Sequence, residues 1–99
     1  MRLFLLFLLY FLNFFLHSQS IELKKEYKLT NKHFKEKNFD QALLSNERAL
    51  SLSLKEFGLS HLTTATLLEN KGRLLLELNK YQKAEIQFRD VLKIRNKLI

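Results

Sequence analysis

The chain contains no cysteine and no proline, and only two glycines, Gly58 and Gly72. The absence of thiols removes disulfides, thiolate nucleophiles, Cys-ligated metals and a lipid-modified N-terminal cysteine together. With so little Pro and Gly, the chain lacks the punctuation that tight turns and hairpins require, and its many Leu, Lys, Glu and Asn residues point to an all-α fold. Acidic residues are also scarce: ten stand against seventeen Lys and Arg, for a formal charge of +7. That balance favours acidic peptides, anionic surfaces or nucleic acid as partners, through neutralisation and counterion release. A chain of 99 residues is one small domain at most, with a marginal core.

The first feature present is an apolar run. Met1 and Arg2 form a short positive segment, Leu3 to Leu16 follow with only Asn13 strongly polar, and His17-Ser18-Gln19-Ser20 ends the run. As a helix, Leu3 to Leu16 reaches roughly 21 Å, short of the ~30 Å hydrocarbon core of a bilayer. Its length suits the apolar region of a signal peptide, with Ser18 and Ser20 as the small residues at the −3 and −1 positions of a cut before Ile21. The expectation is a signal peptide over residues 1–20 and an exported protein, periplasmic or secreted. The alternative is an uncleaved membrane anchor through residues 3–16.

The second feature is an internal repeat. Phe39, Ala42, Leu44, Ala49, Leu50, Leu52 and Phe57 recur forty-two residues later as Tyr81, Ala84, Ile86, Val91, Leu92, Ile94 and Ile99. Three- and four-residue steps within each set mark one amphipathic helix copied twice. Another helical segment precedes each copy, Glu22 to about Lys37 and about Leu62 to Leu78, across the polar breaks Lys37-Asn38 and Asn79-Lys80. The unit is therefore helix, turn, helix, giving four helices in two antiparallel pairs. Asn suits the left-handed conformation that ends a helix, and Asn38 with Gln41 has the spacing of a capping box. Gly58 suits a helix C-cap, and Ser60 or Thr63 the following N-cap.

The stretch Phe57 to Glu85, FGLSHLTTATLLENKGRLLLELNKYQKAE, resembles the tetratricopeptide repeats of the kinesin light chain type. Gly58, His61, Ala65, Leu68, Asn70, Gly72, Leu74, Tyr81, Ala84 and Glu85 fall on that pattern in register. Leu62, Asn79 and Lys71 depart from it, standing where Pro, Gly and an apolar residue are usual. The first unit departs further, with Glu26, Thr30 and His33 in the places of Leu68, Gly72 and Leu75, as suits a terminal, half-solvated helix. The resemblance implies an all-α fold of two tetratricopeptide-like units, residues 21–58 and 59–99, beginning an α-solenoid after a hydrophobic leader helix. Gly72, Ala42 and Ala84 are small where the helices of a unit cross.

The resemblance also implies a function: a protein-protein or peptide-binding scaffold, with no enzymatic role, cofactor or metal. The first helix of each pair would line a concave face, through Lys24, Tyr27, Lys28, Asn31 and Lys35, then Thr66, Glu69, Asn70, Arg73 and Glu77. Asn31 and Asn70 would grip a peptide main chain, since an amide offers both donor and acceptor. No catalytic signature competes with this: only His33 and His61 lie outside the leader, neither in a G-x-S-x-G or H-E-x-x-H context. Lys24, Lys28, Lys32 and Lys35 line one helix face, read as a solvated stripe or as a contact for an acidic peptide or anionic surface. Nucleic acid is disfavoured by the leader and the lack of a recognition motif, and membrane contact is expected only if the leader is retained.

Two helix pairs fall short of the three or more repeats a solenoid normally needs. Val91, Leu92, Ile94, Leu98 and Ile99 form an apolar end with no polar helix after it. The expectation is the beginning of a longer array, or self-association or pairing with another chain through that flank. A truncated N-terminal fragment with no ligand of its own, and a basic accessory protein of anionic membranes, are the alternatives to the scaffold.

Overall fold

The computed structural model describes the backbone of residues 2–99 and the side chains of 2–13 and 20–99. Four helices form: α1 (Arg2–Lys35), α2 (Phe39–Phe57), α3 (Leu62–Glu77) and α4 (Tyr81–Leu98), with no strand among the described residues. α1 packs on α2, α2 on α3 and α3 on α4. The result is two antiparallel, tetratricopeptide-like helix pairs joined through α2 and α3.

The sequence pattern separates a leader from a helix opening near Glu22, but the structure has no break there. α1 runs straight through Ser18-Gln19-Ser20, which offers neither Gly nor Pro to stop it. Its 34 residues reach about 51 Å, nearly the 57 Å long dimension of the molecule. Every side chain from Arg2 to Asn13 is exposed, Leu3 at 84%, so this arm packs on none of the other described side chains. Met1 and the side chain of Ser18, both parts of the expected leader pattern, lie outside the described residues. Among the described residues no helix is long and apolar enough to cross a membrane.

Two turns of identical geometry close the two pairs. Asn38 N–H donates to His33 O (2.8 Å) and Lys37 N–H to Phe34 O (3.0 Å); forty-two residues on, Lys80 N–H donates to Leu75 O (2.8 Å) and Asn79 N–H to Leu76 O (3.0 Å). Lys37 and Asn79 both have φ of 61°, the left-handed residue of a Schellman closure. The capping box expected from Asn38 and Gln41 is absent: Asn38 is the N-cap of α2 but makes no side-chain cap bond. Its own N–H is already taken by His33 O, so the reciprocal limb of such a box has no donor left to satisfy.

The joint between units is built differently. Gly58, at φ 81° and ψ −177°, ends α2 with its N–H on Leu54 O. The N-cap of α3 is His61, not Ser60 or Thr63, and its Nδ1 accepts from Thr63 N–H at 3.1 Å. The imidazole is held for this by stacking on Phe57, with ring centroids 4.2 Å apart and planes 10° apart. Beneath it, the Thr64 hydroxyl donates to Gly58 O (2.8 Å) and lies 2.7 Å from the Ser53 hydroxyl. A carbonyl can only accept, so Ser53 supplies the proton of the second bond.

The core gathers Leu23 of α1, Ala49 and Leu50 of α2, Ala65, Leu67 and Leu68 of α3, and Val91 and Ile94 of α4. Ala42 and Ala84 are fully buried. At Gly72 a Cβ would stand 2.8 Å from the Phe88 ring, which is why the residue there is small. In the first unit Thr30 takes the place of Gly72 and Asn46 that of Phe88, and both are buried; a larger residue on one helix goes with a smaller one on the other. Asn46 also joins the units, donating from Nδ2 to Leu67 O at 2.9 Å.

One ion pair spans each helix interface: Glu26–Arg48 (3.1 Å), Glu47–Lys71 (2.8 Å) and Glu69–Arg95 (2.6 Å). Glu26 and Lys71, polar where the repeat pattern asks for apolar residues, are both accommodated in this way. The flank of α4 is uncovered. Leu50 on α2 is 6% exposed, whereas Leu92, its counterpart, is 61% exposed. Val91 and Ile94, expected with Leu92 in the open apolar end, instead face inward as core.

Candidate binding groove

α1 and α3 stand side by side with a groove between them. Its larger depression, about 430 Å³, is lined by Ser20, Leu23, Lys24, Tyr27 and Lys28 from α1, Phe57 from the end of α2, and Thr63 and Thr66 from α3. A smaller one of about 100 Å³ lies further along, between Thr30, Asn31 and Phe34 on one side and Asn70, Arg73 and Leu74 on the other. The wall on α1 follows from helix spacing, since residues 20, 23, 24, 27 and 28 share one face.

The expected concave-face residues divide accordingly. Lys24, Tyr27, Lys28 and Thr66 meet in the larger depression, and Asn31, Asn70 and Arg73 in the smaller. Lys35 and Glu77 are exposed but line neither depression. Glu69 also lines neither; it accepts from Arg73 at 3.1 Å and from Arg95 at 2.6 Å. The hydrogen bond from Arg95 holds the Glu69 carboxyl below the ordinary carboxylate range, against the opposing effect of partial burial, and the fields of Arg95 and Arg73 add to it.

Ser20, Leu23, Phe57 and Thr63 line the larger depression, and Thr30, Phe34 and Leu74 the smaller, and none was among the residues expected there. Ser20 and Leu23 continue the Lys24–Tyr27–Lys28 face one turn toward the N-terminus, a signal present in the spacing. Phe57 gave no such signal, because it comes from the end of α2 and not from either helix that walls the groove.

The groove combines the apolar surfaces of buried Leu23 and exposed Tyr27 and Phe57, the exposed cations Lys24 and Lys28, and amides at Asn31 and Asn70. Chemically, ammonium groups pair with anions, and an amide both donates and accepts hydrogen bonds. Among the described residues no three His, Asp or Glu side chains converge as a metal site would require.

Comparison with known proteins agrees with the architecture. Neither the curated proteins nor the solved structures give a match. A family model described as tetratricopeptide repeat matches residues 32–97, two thirds of the chain and both inter-helix turns of identical geometry. Its units form a generally non-catalytic scaffold for protein-protein interaction. The chain thus belongs to the tetratricopeptide repeat family.

Proposed function

We propose that this protein is an exported scaffold that holds an acidic peptide segment of a partner protein in the groove between α1 and α3. The observation that carries this reading is the convergence of Lys24 and Lys28 with Tyr27 and Thr66, continued by Asn31, Asn70 and Arg73. Lys24 and Lys28 attract the carboxylates, Tyr27 and Phe57 take up apolar side chains, and the two Asn amides bond the peptide main chain. The forty-two-residue period supports the kinesin light chain-type subclass. The scaffold reading supports a protein without enzymatic activity.

Export rests on the arm. An apolar stretch of this length, with a positive start and small residues before Ile21, suits a signal peptide. Retained, the same arm would instead set the Lys24, Lys28, Lys32 and Lys35 stripe beside an anionic membrane surface, because both lie on one helix. The uncovered flank of α4 is a second contact surface, for a further helix or another copy.

The test of the groove is fluorescence anisotropy of the full chain in zwitterionic detergent, with labelled acidic and basic peptides of equal length. Acidic peptides bind, and binding weakens with salt. Lys24→Gln with Lys28→Gln raises Kd by at least about tenfold, near 1.4 kcal/mol, and Asn70→Ala weakens binding with no change in salt dependence. Equal affinity for acidic and basic peptides overturns the reading. For export, the native protein is sequenced from its N-terminus: a start at Ile21 supports cleavage, and a start at Met1 refutes it.

A further inference from the structure

Along α4, Tyr81, Glu85, Phe88, Leu92 and Arg95, then Ile99 at its C-cap, follow one another at steps of four and three residues. That is the spacing of a helix seam that packs against another helix. The same positions on α2, forty-two residues earlier, include Asn46 and Ser53, which bond to α3, and Leu50, which is buried. On α4, among the described residues, no further helix lies over this side: Tyr81 and Leu92 are each more than 60% exposed, while Phe88 at its margin is half-buried against Gly72 of α3 and Arg95 reaches Glu69.

The seam has a property that its α2 counterpart lacks. Reversed about position 90, it reads onto itself: Ile99 falls opposite Tyr81, Arg95 opposite Glu85, and Leu92 opposite Phe88. We propose that a second copy of this chain covers the face, the two α4 helices packed antiparallel about a two-fold axis at Asp90. Each copy contributes Tyr81 against Ile99 of its partner and Phe88 against Leu92, and two Glu85–Arg95 pairs cross the interface. Such a contact uses the same patch on both copies and closes on itself, giving a dimer and not a filament.

Charge complementarity selects both the occupant and the direction. A parallel pairing sets Glu85 on Glu85 and Arg95 on Arg95, like charges that oppose association. A foreign apolar helix leaves unused the hydrogen-bonding capacity that both groups keep at the seam. Neither group is saturated in the single chain: Arg89 takes Oε1 of Glu85, and Arg95 uses Nη2 on Glu69, leaving one carboxylate oxygen and the rest of the guanidinium fork. The seam lies on α4 and the groove between α1 and α3, so this inference rests on the uncovered α4 flank and survives failure of the peptide reading.

The absence of native cysteine makes disulfide mapping clean. Full chains in zwitterionic detergent carry either Tyr81→Cys or Ile99→Cys and are oxidised alone or mixed. Antiparallel pairing yields a cross-linked dimer in the mixture and not in either sample alone, since like positions lie far beyond disulfide reach. Cross-linking within the single-variant samples, or equally in every sample, overturns the proposal, as association through the apolar arm has no such register. Independently, in a Glu69→Gln background that removes the carboxylate Arg95 otherwise pairs with inside the chain, Glu85→Lys should lower the mixed cross-link at least about fivefold, and so should Arg95→Glu. Placing Glu85→Lys in both cysteine chains with Arg95→Glu in both restores the pairing with its charges exchanged. Circular dichroism confirms that each variant is folded, and a cross-link indifferent to both charge changes refutes the register.

Discussion

Replacing Lys37 by glycine should stabilise this protein, although it removes a charged side chain and adds no contact. Lys37 ends α1 at φ 61°, where a Cβ crowds the following carbonyl at a cost of about 1–2 kcal/mol. Glycine removes that cost but adds unfolded-chain entropy, worth about 0.4–1 kcal/mol in the opposite direction. The net gain is about 0.5–1 kcal/mol, a rise in Tm of roughly 2–8 °C for a domain of this size. Asn79 offers an internal control, with the same φ and the same pair of closing hydrogen bonds. Asn already tolerates this conformation, and its Oδ1 accepts from the Tyr81 hydroxyl at 2.8 Å. Asn79→Gly should therefore change stability by less than about 0.5 kcal/mol, since a small strain relief opposes the loss of an exposed hydrogen bond. Lys37→Ala keeps the Cβ and should give no gain. Thermal melting of the full chain followed by far-ultraviolet circular dichroism reads all three. If Lys37→Ala raises Tm as much as Lys37→Gly, or if Asn79→Gly stabilises more than Lys37→Gly, the backbone argument is wrong.

Three further perturbations have defined outcomes. Gly58→Ala should cost about 1–3 kcal/mol, because φ 81° with ψ −177° is a region that essentially only glycine visits; a Cβ there meets nothing within 4 Å, so Gly58→Ser should cost the same in chemical denaturation. Thr64→Val keeps the shape but leaves the Ser53 hydroxyl and Gly58 carbonyl unpaired, a loss of about 2–4 kcal/mol, and adding Ser53→Ala should recover part of it. Because the folded pKa of Glu69 is depressed, chiefly by Arg95, its pairing contributes stability in full above the unfolded carboxylate value of about 4.3. That contribution disappears as pH falls through the lower folded value. Acid titration of Tm should show a step there that Glu69→Gln abolishes, and an unchanged profile in the variant would refute the assignment.

The helix pairs were legible in the sequence because both copies repeat their apolar faces at one shift. The same shift places Lys37 on Asn79, so a lysine in the left-handed region was implied by register although its chemistry gives no hint of it. The His61 cap was hidden: His is not a preferred N-cap residue, and it serves here because Phe57 fixes its ring. The continuity of α1 was obscured by Ser18-Gln19-Ser20, which fits a cleavage site and a helix interior equally well. In the groove, the face shared by Lys24, Tyr27 and Lys28 follows from spacing within one helix. The withdrawal of Glu69 does not, because Arg95 reaches it from another helix, twenty-six residues on.

The unbroken course of α1 has a mechanical consequence. Where the arm is retained, with no helix break between it and the residues from Ser20 to Phe34, α1 is a lever about 51 Å long, and one wall of the groove is its far end. Whatever grips the arm therefore sets the tilt of that wall. A small angular displacement at one end changes the width of the groove at the other, with no contact between the gripping body and the bound segment.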